Sequence, residues 1–223
     1  MERIELFSDA LKRQDFSVSQ DMIEKFSQYR ALLLEWNRKI NLISRNDESR
    51  ILTRHFLESL GLIKVVKFAL GSRILDLGTG AGFPGIPMKI VRPDLTMVLV
   101  ESKRKKVLFL RRVIEKLELD SIDVRPGRAE EIDDTMKPVD FIVSRSVADL
   151  ATLLKWSRRF LTPEGGSLVV IKGPGVHAEL DRVRKASSEL NVKQSIVLKY
   201  DPFPDVFQRN ESYVAVVEIS ALH

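Results

Sequence analysis

The chain reads as an α/β protein: a Rossmann-like, seven-stranded, mostly parallel sheet with a helical extension at the N-terminus. Three observations carry this. Up to about residue 70, apolar side chains recur at helical spacing. From Gly71 onward, short runs rich in β-branched residues alternate with helical stretches, the rhythm of βαβ units. The first of those runs, Ile74-Leu75-Asp76-Leu77, enters a turn holding Gly78, Gly80, Gly82 and Gly85. Glycines at such density provide φ > 0 and remove the Cβ that would block a ligand's approach to backbone. At 223 residues the chain suits one α/β domain, residues 71–223, with residues 1–70 as an extension packed on its core.

Each element has its own signal. Leu6, Ala10 and Leu11 start a first helix, and Ile23, Phe26, Tyr29, Leu32, Leu33 and Trp36 carry an apolar stripe through a second. Arg50 to Leu70 reads as a third, with Ile51, Phe56, Leu60 and Ile63 apolar. Strands are predicted at Arg73–Leu77, Thr96–Val100, Ile122–Pro126, Phe141–Ser144 and Ser167–Lys172. Ser195–Tyr200 and Ser212–Ile219 follow as antiparallel neighbours. Val107, Leu110, Val113 or Ile114, and Leu117 mark a helix after Glu101; Asp149 to Leu161 gives another, closed by Thr162-Pro163-Glu164-Gly165-Gly166.

Two cofactors compete for the glycine turn. Gly80-x-Gly82-x-x-Gly85 satisfies a dinucleotide pattern, and Glu101 lies at a suitable distance to bind a ribose. Asp76 decides the matter, because it gives the order Asp-x-Gly-x-Gly-x-Gly. A pyrophosphate loop is disfavoured with an acid at its mouth, whereas an S-adenosylmethionine (SAM) site has such an acid near the cofactor's amino-acid moiety. Pro84 and Pro87 fit a helix beginning here only in its first positions. The fold class is therefore the Rossmann-like SAM-dependent methyltransferase fold, with SAM as cofactor.

Ligand sites in such sheets lie beyond the carboxyl ends of the strands. Glu101 ends the second strand, where a carboxylate accepts both ribose hydroxyls. Ala129-Glu130, after the third, lies where adenine would bind. Val143-Ser144-Arg145-Ser146 ends the fourth, the floor of the transfer site. The Asn/Asp-Pro-Pro-aromatic string that grips an exocyclic amine is missing there. Arg145 instead suits a substrate recognised by its acceptors, such as guanine O6 or a phosphate, with an internal ion pair as the structural alternative. Lys172 adds a second cation near the same mouth.

Composition narrows the chemistry further. Hydrophobic residues make up 44% and charged residues 30%, as in ordinary soluble proteins. A basic-then-apolar leader and any run of membrane-spanning length are lacking, so a cytoplasmic protein with no membrane partner is expected. Absence of cysteine removes disulfides, thiolate zinc sites and covalent catalysis at pyrimidine C5. With three histidines, no metal site is expected. The net charge is +5, concentrated in Lys103-Arg104-Lys105-Lys106 with Arg111-Arg112, and in Arg38, Lys39, Arg45, Arg50 and Arg54. Either group alone reads equally well as a solvated face, but two flanking one pocket favour nucleic-acid phosphates.

Asn41-Leu42-Ile43-Ser44, Arg54-His55-x-x-Glu58-Ser59, the Asp76–Pro87 run, Glu101-Ser102-x-x-Lys105-Lys106-x-x-Phe109-Leu110, Ser144-Arg145 and Lys172-Gly173 together resemble the bacterial RsmG (GidB) family. The resemblance covers the chain from about residue 20. It implies methyl transfer from SAM to N7 of one guanine in the 530 loop of 16S rRNA, with the small ribosomal subunit or its assembly intermediate as partner and a monomeric enzyme. It also implies that Gly78, Phe83, Ala129, Glu130 and Arg145 contact the cofactor, beside Asp76, Gly80 and Glu101 from the residue reading. Glu101 stands where many members carry Asp; the longer side chain still reaches a ribose.

N7 chemistry agrees with the residues. Guanine N7 is unprotonated at neutral pH, so no general base is expected and catalysis reduces to positioning. Arg145, Asn41 and His55 are the expected positioning residues, with Arg54 and Ser59 as further grips on the base. Arg54, Lys103, Arg104, Lys106 and Lys172 are the expected RNA contacts. The alternatives are a ribose 2′-O-methyltransferase, which Lys172 fits but which lacks its acid after strand four, and a non-catalytic SAM-sensing RNA-binding protein. An NAD protein is disfavoured by Asp76.

Overall fold

Parallel pairing of short apolar strands forms the centre of the molecule. The computed structural model describes residues 2–132, 136–200, 203 and 212–220. The strands are β1 (Arg73–Leu77), β2 (Thr96–Glu101), β3 (Ile122–Pro126), β4 (Phe141–Arg145), β5 (Gly165–Lys172), β6 (Val192–Tyr200) and β7 (Ser212–Ser220). They lie in the order β3-β2-β1-β4-β5-β7-β6. Strands β1 to β5 are parallel, and β7 runs antiparallel between β5 and β6. β1 is buried along most of its length, as a strand covered on both faces should be. The strand order reverses between β1 and β4. That switch point opens a crevice at the carboxyl ends, beside Leu77, Glu101, Arg145 and Lys172.

Helices cover both faces of the sheet. α1 (Ile4–Arg13) and α2 (Gln20–Asn37) come first, and Ser19 caps α2 by accepting the Met22 N–H at 3.1 Å. α3 is Glu58–Val65, α4 Gly85–Val91, α5 Arg104–Lys116, α6 Leu150–Ser157 and α7 Val176–Lys185. Phe7, Phe26, Tyr29 and Phe56 of the N-terminal segment join Phe83, Leu99, Phe109 and Val113 in one apolar cluster. A second cluster, with Leu75, Val98, Leu153 and Leu180, fills the other side.

The single helix expected over Arg50–Leu70 is two elements, a π-helix (Ile51–Leu57) and α3, which ends at Val65; a 3-10 turn (Arg45–Arg50) leads into them. The Glu2 carboxylate holds the start of the π-helix, accepting the Leu52 N–H at 2.7 Å, the Thr53 N–H at 3.1 Å and the Thr53 hydroxyl. π-turns concentrate at functional sites, and this one carries Arg54 and His55. Pro84 and Pro87 fall at the cap and in the first turn of α4, where helix N–H groups lack intrahelical acceptors.

Candidate active site

The four glycines of the turn do different work. Gly78, Gly80 and Gly82 have φ of +72°, +62° and +98°, a region costly for other residues. A Cβ on Gly80 would meet nothing closer than the Lys106 Nζ at 3.8 Å. One on Gly78 would strike Val147 at 2.6 Å; one on Gly82 would strike Ile86 at 2.5 Å and the Tyr29 hydroxyl at 2.6 Å. Gly85 is hemmed in by Leu99 at 2.6 Å and the Asp76 Oδ2 at 2.8 Å. Only Gly80 opens onto free space, so the turn is mainly a close-packing device and only at one point a bare approach.

Asp76 braces the turn from below. Its Oδ2 accepts the Thr79 hydroxyl at 2.6 Å and the Gly85 N–H at 2.8 Å. Its Oδ1 is buried without a partner, and burial outweighs those hydrogen bonds to push its pKa up to about 7. Asp76 lines neither cavity described below, and both of its hydrogen bonds are made within the turn. Glu101 does face a cavity. It accepts the Gly80 N–H at 3.1 Å and the Lys103 N–H at 2.7 Å, one on each oxygen. Each oxygen keeps a lone pair for a vicinal diol.

Two adjoining cavities occupy the crevice. The smaller, about 420 Å³, is lined by Glu101, Lys103, Ala129, Glu130, Val147 and Trp156 among others. The larger, about 810 Å³, lies between the N-terminal segment and the ends of β4 and β5, with Arg54, His55, Glu58, Phe83, Arg145 and Lys172 in its walls. Gly78, Gly80, Lys106 and Ser146 border both. Ser146 holds a left-handed φ of +57° at this junction.

Arg145 organises the larger cavity, as a clamped group. Its Nη1 donates to Glu58 Oε2 at 2.8 Å, its Nη2 meets His55 Nδ1 at 3.0 Å, and its guanidinium lies 4.9 Å from the centre of the Phe83 ring. Glu58 also accepts the Ser212 hydroxyl at 3.2 Å. The ion pair named as the structural alternative for Arg145 is therefore present, and it holds the group at the cavity wall. A guanidinium cannot accept a hydrogen bond, so His55 Nδ1 bears the lone pair and Nε2 the proton. Burial, then Arg145, Arg54 and Arg50, hold the His55 pKa down at about 3, leaving a neutral ring stacked on Phe83.

The remaining expected residues divide. Arg54 lines the cavity and pairs with Asp47 at 3.1 Å. Lys172 lines it too, but its Nζ donates to the Ala148 carbonyl at 2.5 Å and to Glu179 at 2.9 Å, so it braces the loop after β4 instead of standing as an open cation. Ser59 is fully buried and returns its hydroxyl to the His55 carbonyl at 2.6 Å, away from the cavity, which removes it as a grip. Asn41 is exposed beside the cavity; Leu42 and Ile43, whose N–H groups Asn37 accepts, form the wall in its place. Arg104 is exposed and outside both cavities, while Lys103 and Lys106 reach them. Sequence reasoning assigned no role to Glu58, Tyr29, Asp47 or Trp156. Glu58 alone left a signal, four residues after Arg54 on one helical stretch.

These walls fit SAM: a carboxylate placed for a ribose diol, one open glycine, and Val147 and Trp156 as apolar lining beside them. Fold and site define a SAM-dependent methyltransferase of the Rossmann-like class. Solved structures of that class share the architecture at low identity. M. jannaschii TYW2 in complex with AdoMet is 12% identical with a TM-score of 0.58, over 79% of this chain and 81% of that one. A SAM-dependent O-methyltransferase from Thermotoga maritima is 17% identical with a TM-score of 0.56, over 86% and 72%. Sequence is more specific. The GidB family model, rRNA small subunit methyltransferase G, matches residues 22–203. The ribosomal RNA small subunit methyltransferase G of Thermoanaerobacter sp. (strain X514) is 38% identical over 190 residues, covering 84% of this chain and 79% of the relative. That of Alkaliphilus oremlandii is 33% identical over 210 residues, covering 92% and 87%. The chain belongs to the rRNA small subunit methyltransferase G family.

Proposed function

We infer that this chain methylates N7 of one guanine in the 530 loop of 16S rRNA, acting on the small subunit or an assembly intermediate as a cytoplasmic monomer. The family supports rRNA as substrate. The observation that carries the N7 reading is the larger cavity, whose described residues offer positioning groups and no uncommitted carboxylate: His55 is neutral with its Nδ1 engaged, and Glu58 and Asp47 are committed to Arg145 and Arg54. SAM, when bound, supplies the electrophilic methyl group. Glu101 would hold its ribose, Ala129 and Glu130 would border the adenine, and Gly80 would admit it against the turn. Phe83 and Arg145 line the larger chamber, which joins the smaller one at Gly78, Gly80, Lys106 and Ser146.

The acceptor base becomes cationic as it reacts, so added positive charge nearby would slow the transfer. The protein limits that charge by matching Arg145 with Glu58 and keeping His55 unprotonated. On the outside, Lys103 caps α5, which begins with Arg104, Lys105 and Lys106 and has no acid in its first turn. Cations there oppose the helix dipole, an arrangement that serves an anionic partner, and RNA phosphates are that partner. No helix is long and apolar enough to cross a membrane among the described residues.

Labelled methyl transfer tests this, with 16S rRNA and intact subunits from cells lacking the gene as substrates. Reduction and aniline scission should cut at one guanine of the 530 loop. Label on ribose, or none on either substrate, would overturn the reading.

A further inference from the structure

We propose that Tyr29, on α2 of the N-terminal segment, is a positioning residue for the cofactor turn, so that this segment helps set SAM affinity. Its hydroxyl is buried and donates to the Ala81 carbonyl at 2.5 Å, across 52 residues of sequence. Burial raises its pKa well above the ordinary value, so the group remains a donor throughout the working pH range. Gly82 gives an independent indication. The nearest atoms to a Cβ built there include the Tyr29 hydroxyl at 2.6 Å, so the turn keeps that side bare for the tyrosine. The Gly82 N–H donates to the Thr79 carbonyl at 2.9 Å. Both polar groups of the Ala81–Gly82 peptide are thus fixed, one from within the turn and one from α2.

The ring transmits the same constraint. It stacks on Phe56 at 5.0 Å and packs against Phe83 at 5.8 Å, and Phe83 in turn carries His55 and Arg145. Ala81 and Phe83 line the larger cavity and continue the turn from Gly78 and Gly80, which border both cavities, so a shift of this peptide moves the turn on its cofactor side too. Loss of the hydroxyl leaves the Ala81 carbonyl buried without its donor and frees this peptide to rotate, whereas the ring packing survives in phenylalanine.

The inference rests on the cofactor reading of the turn. Its test is Tyr29→Phe in the full chain, with S-adenosylhomocysteine (SAH) titrated calorimetrically and initial rates measured against SAM and against rRNA. The expected result is a roughly tenfold rise in SAH Kd and in KM for SAM, with KM for rRNA and kcat at saturating SAM within about twofold. An unchanged SAH Kd overturns it, whatever happens to thermal stability. Gly82→Ala supplies a second measurement. Its effect on SAH Kd should be smaller in the Tyr29→Phe background than in the native one, and strict additivity contradicts the proposal. Wild-type protein that binds SAH but leaves rRNA unmethylated would overturn the proposed function and leave this inference standing.

Discussion

The two chambers of the crevice are built on opposite plans. The smaller one is made by strand ends and the turns that follow them: Glu101 is held by N–H groups of Gly80 and Lys103, within one βαβ unit and its neighbour. The larger one is made by long-range pairing. Arg145, the last residue of β4, is held by Glu58 and His55, 87 and 90 residues earlier, and Ser212 reaches Glu58 across 154. On the proposed reading the smaller chamber takes the cofactor and the larger one the acceptor. The larger chamber exists only when the N-terminal segment is docked.

The largest effect that separates the sides comes from Arg145→Ala. It leaves Glu58 and the His55 Nδ1 in a half-buried site without their cation, at a cost of roughly 3 kcal/mol, with methyl transfer down about a hundredfold or more. Arg145→Lys should recover stability better than activity, because one ammonium cannot serve Glu58 and His55 as a guanidinium fork does. Thermal melts and single-turnover rates check both. Next in size is Glu101→Gln, which retains acceptors only on one oxygen. SAH affinity should fall about tenfold, with a smaller loss of thermal stability because the new NH2 faces a backbone N–H. Smaller again is Lys103→Ala with Lys106→Ala: RNA binding weakens, and the slope of log K against log salt shrinks by about 1.5 to 2 units. An unaltered slope would make that cluster a solvated face.

The remaining effects concern pH, and Asp76 and His55 give them opposite signs. The Asp76 pKa rises on folding from 3.8 to about 7, so the native state binds the extra proton between those values. Its contribution is complete below pH 3.8 and is lost as pH climbs to 7. The His55 pKa falls from 6.5 to about 3, so the unfolded state binds the extra proton. Its contribution is complete above pH 6.5 and is lost as pH drops toward 3. Across pH 4 to 6.5 the two slopes offset each other. Asp76→Asn should therefore make stability rise more with pH than in the native protein, and His55→Gln should make it rise less, as read from denaturant midpoints. Equal slopes in all three proteins would contradict this assignment.

Legibility followed the same division. Strand positions were open to inspection because β-branched runs and glycine punctuation are local; β1 and β3 match the expected Arg73–Leu77 and Ile122–Pro126. The glycine turn is expected to be the ligand loop, and in the structure Gly80 opens beside both cavities, while Gly78, Gly82 and Gly85 serve packing against Val147, Tyr29 and Leu99, contacts that no spacing rule reveals. Arg145 was found as a residue, and its partners were not, since nothing local links position 145 to position 58. The π-helix was missed because its apolar residues Ile51, Leu52, Phe56 and Leu57 also fit an ordinary helical stripe. Lys172 reads as an open cation in the sequence because Glu179 becomes its neighbour only once the chain turns from β5 into α7.

Parallel SAH titrations of Glu101→Gln and Glu58→Gln test the division of labour most directly. The account predicts about a tenfold or greater loss of affinity for Glu101→Gln and a Kd within about threefold of native for Glu58→Gln, whose defect should appear in methyl transfer at saturating SAM. The reverse order, with Glu58→Gln losing SAH and Glu101→Gln keeping it, would contradict the separation of a cofactor chamber from an acceptor chamber.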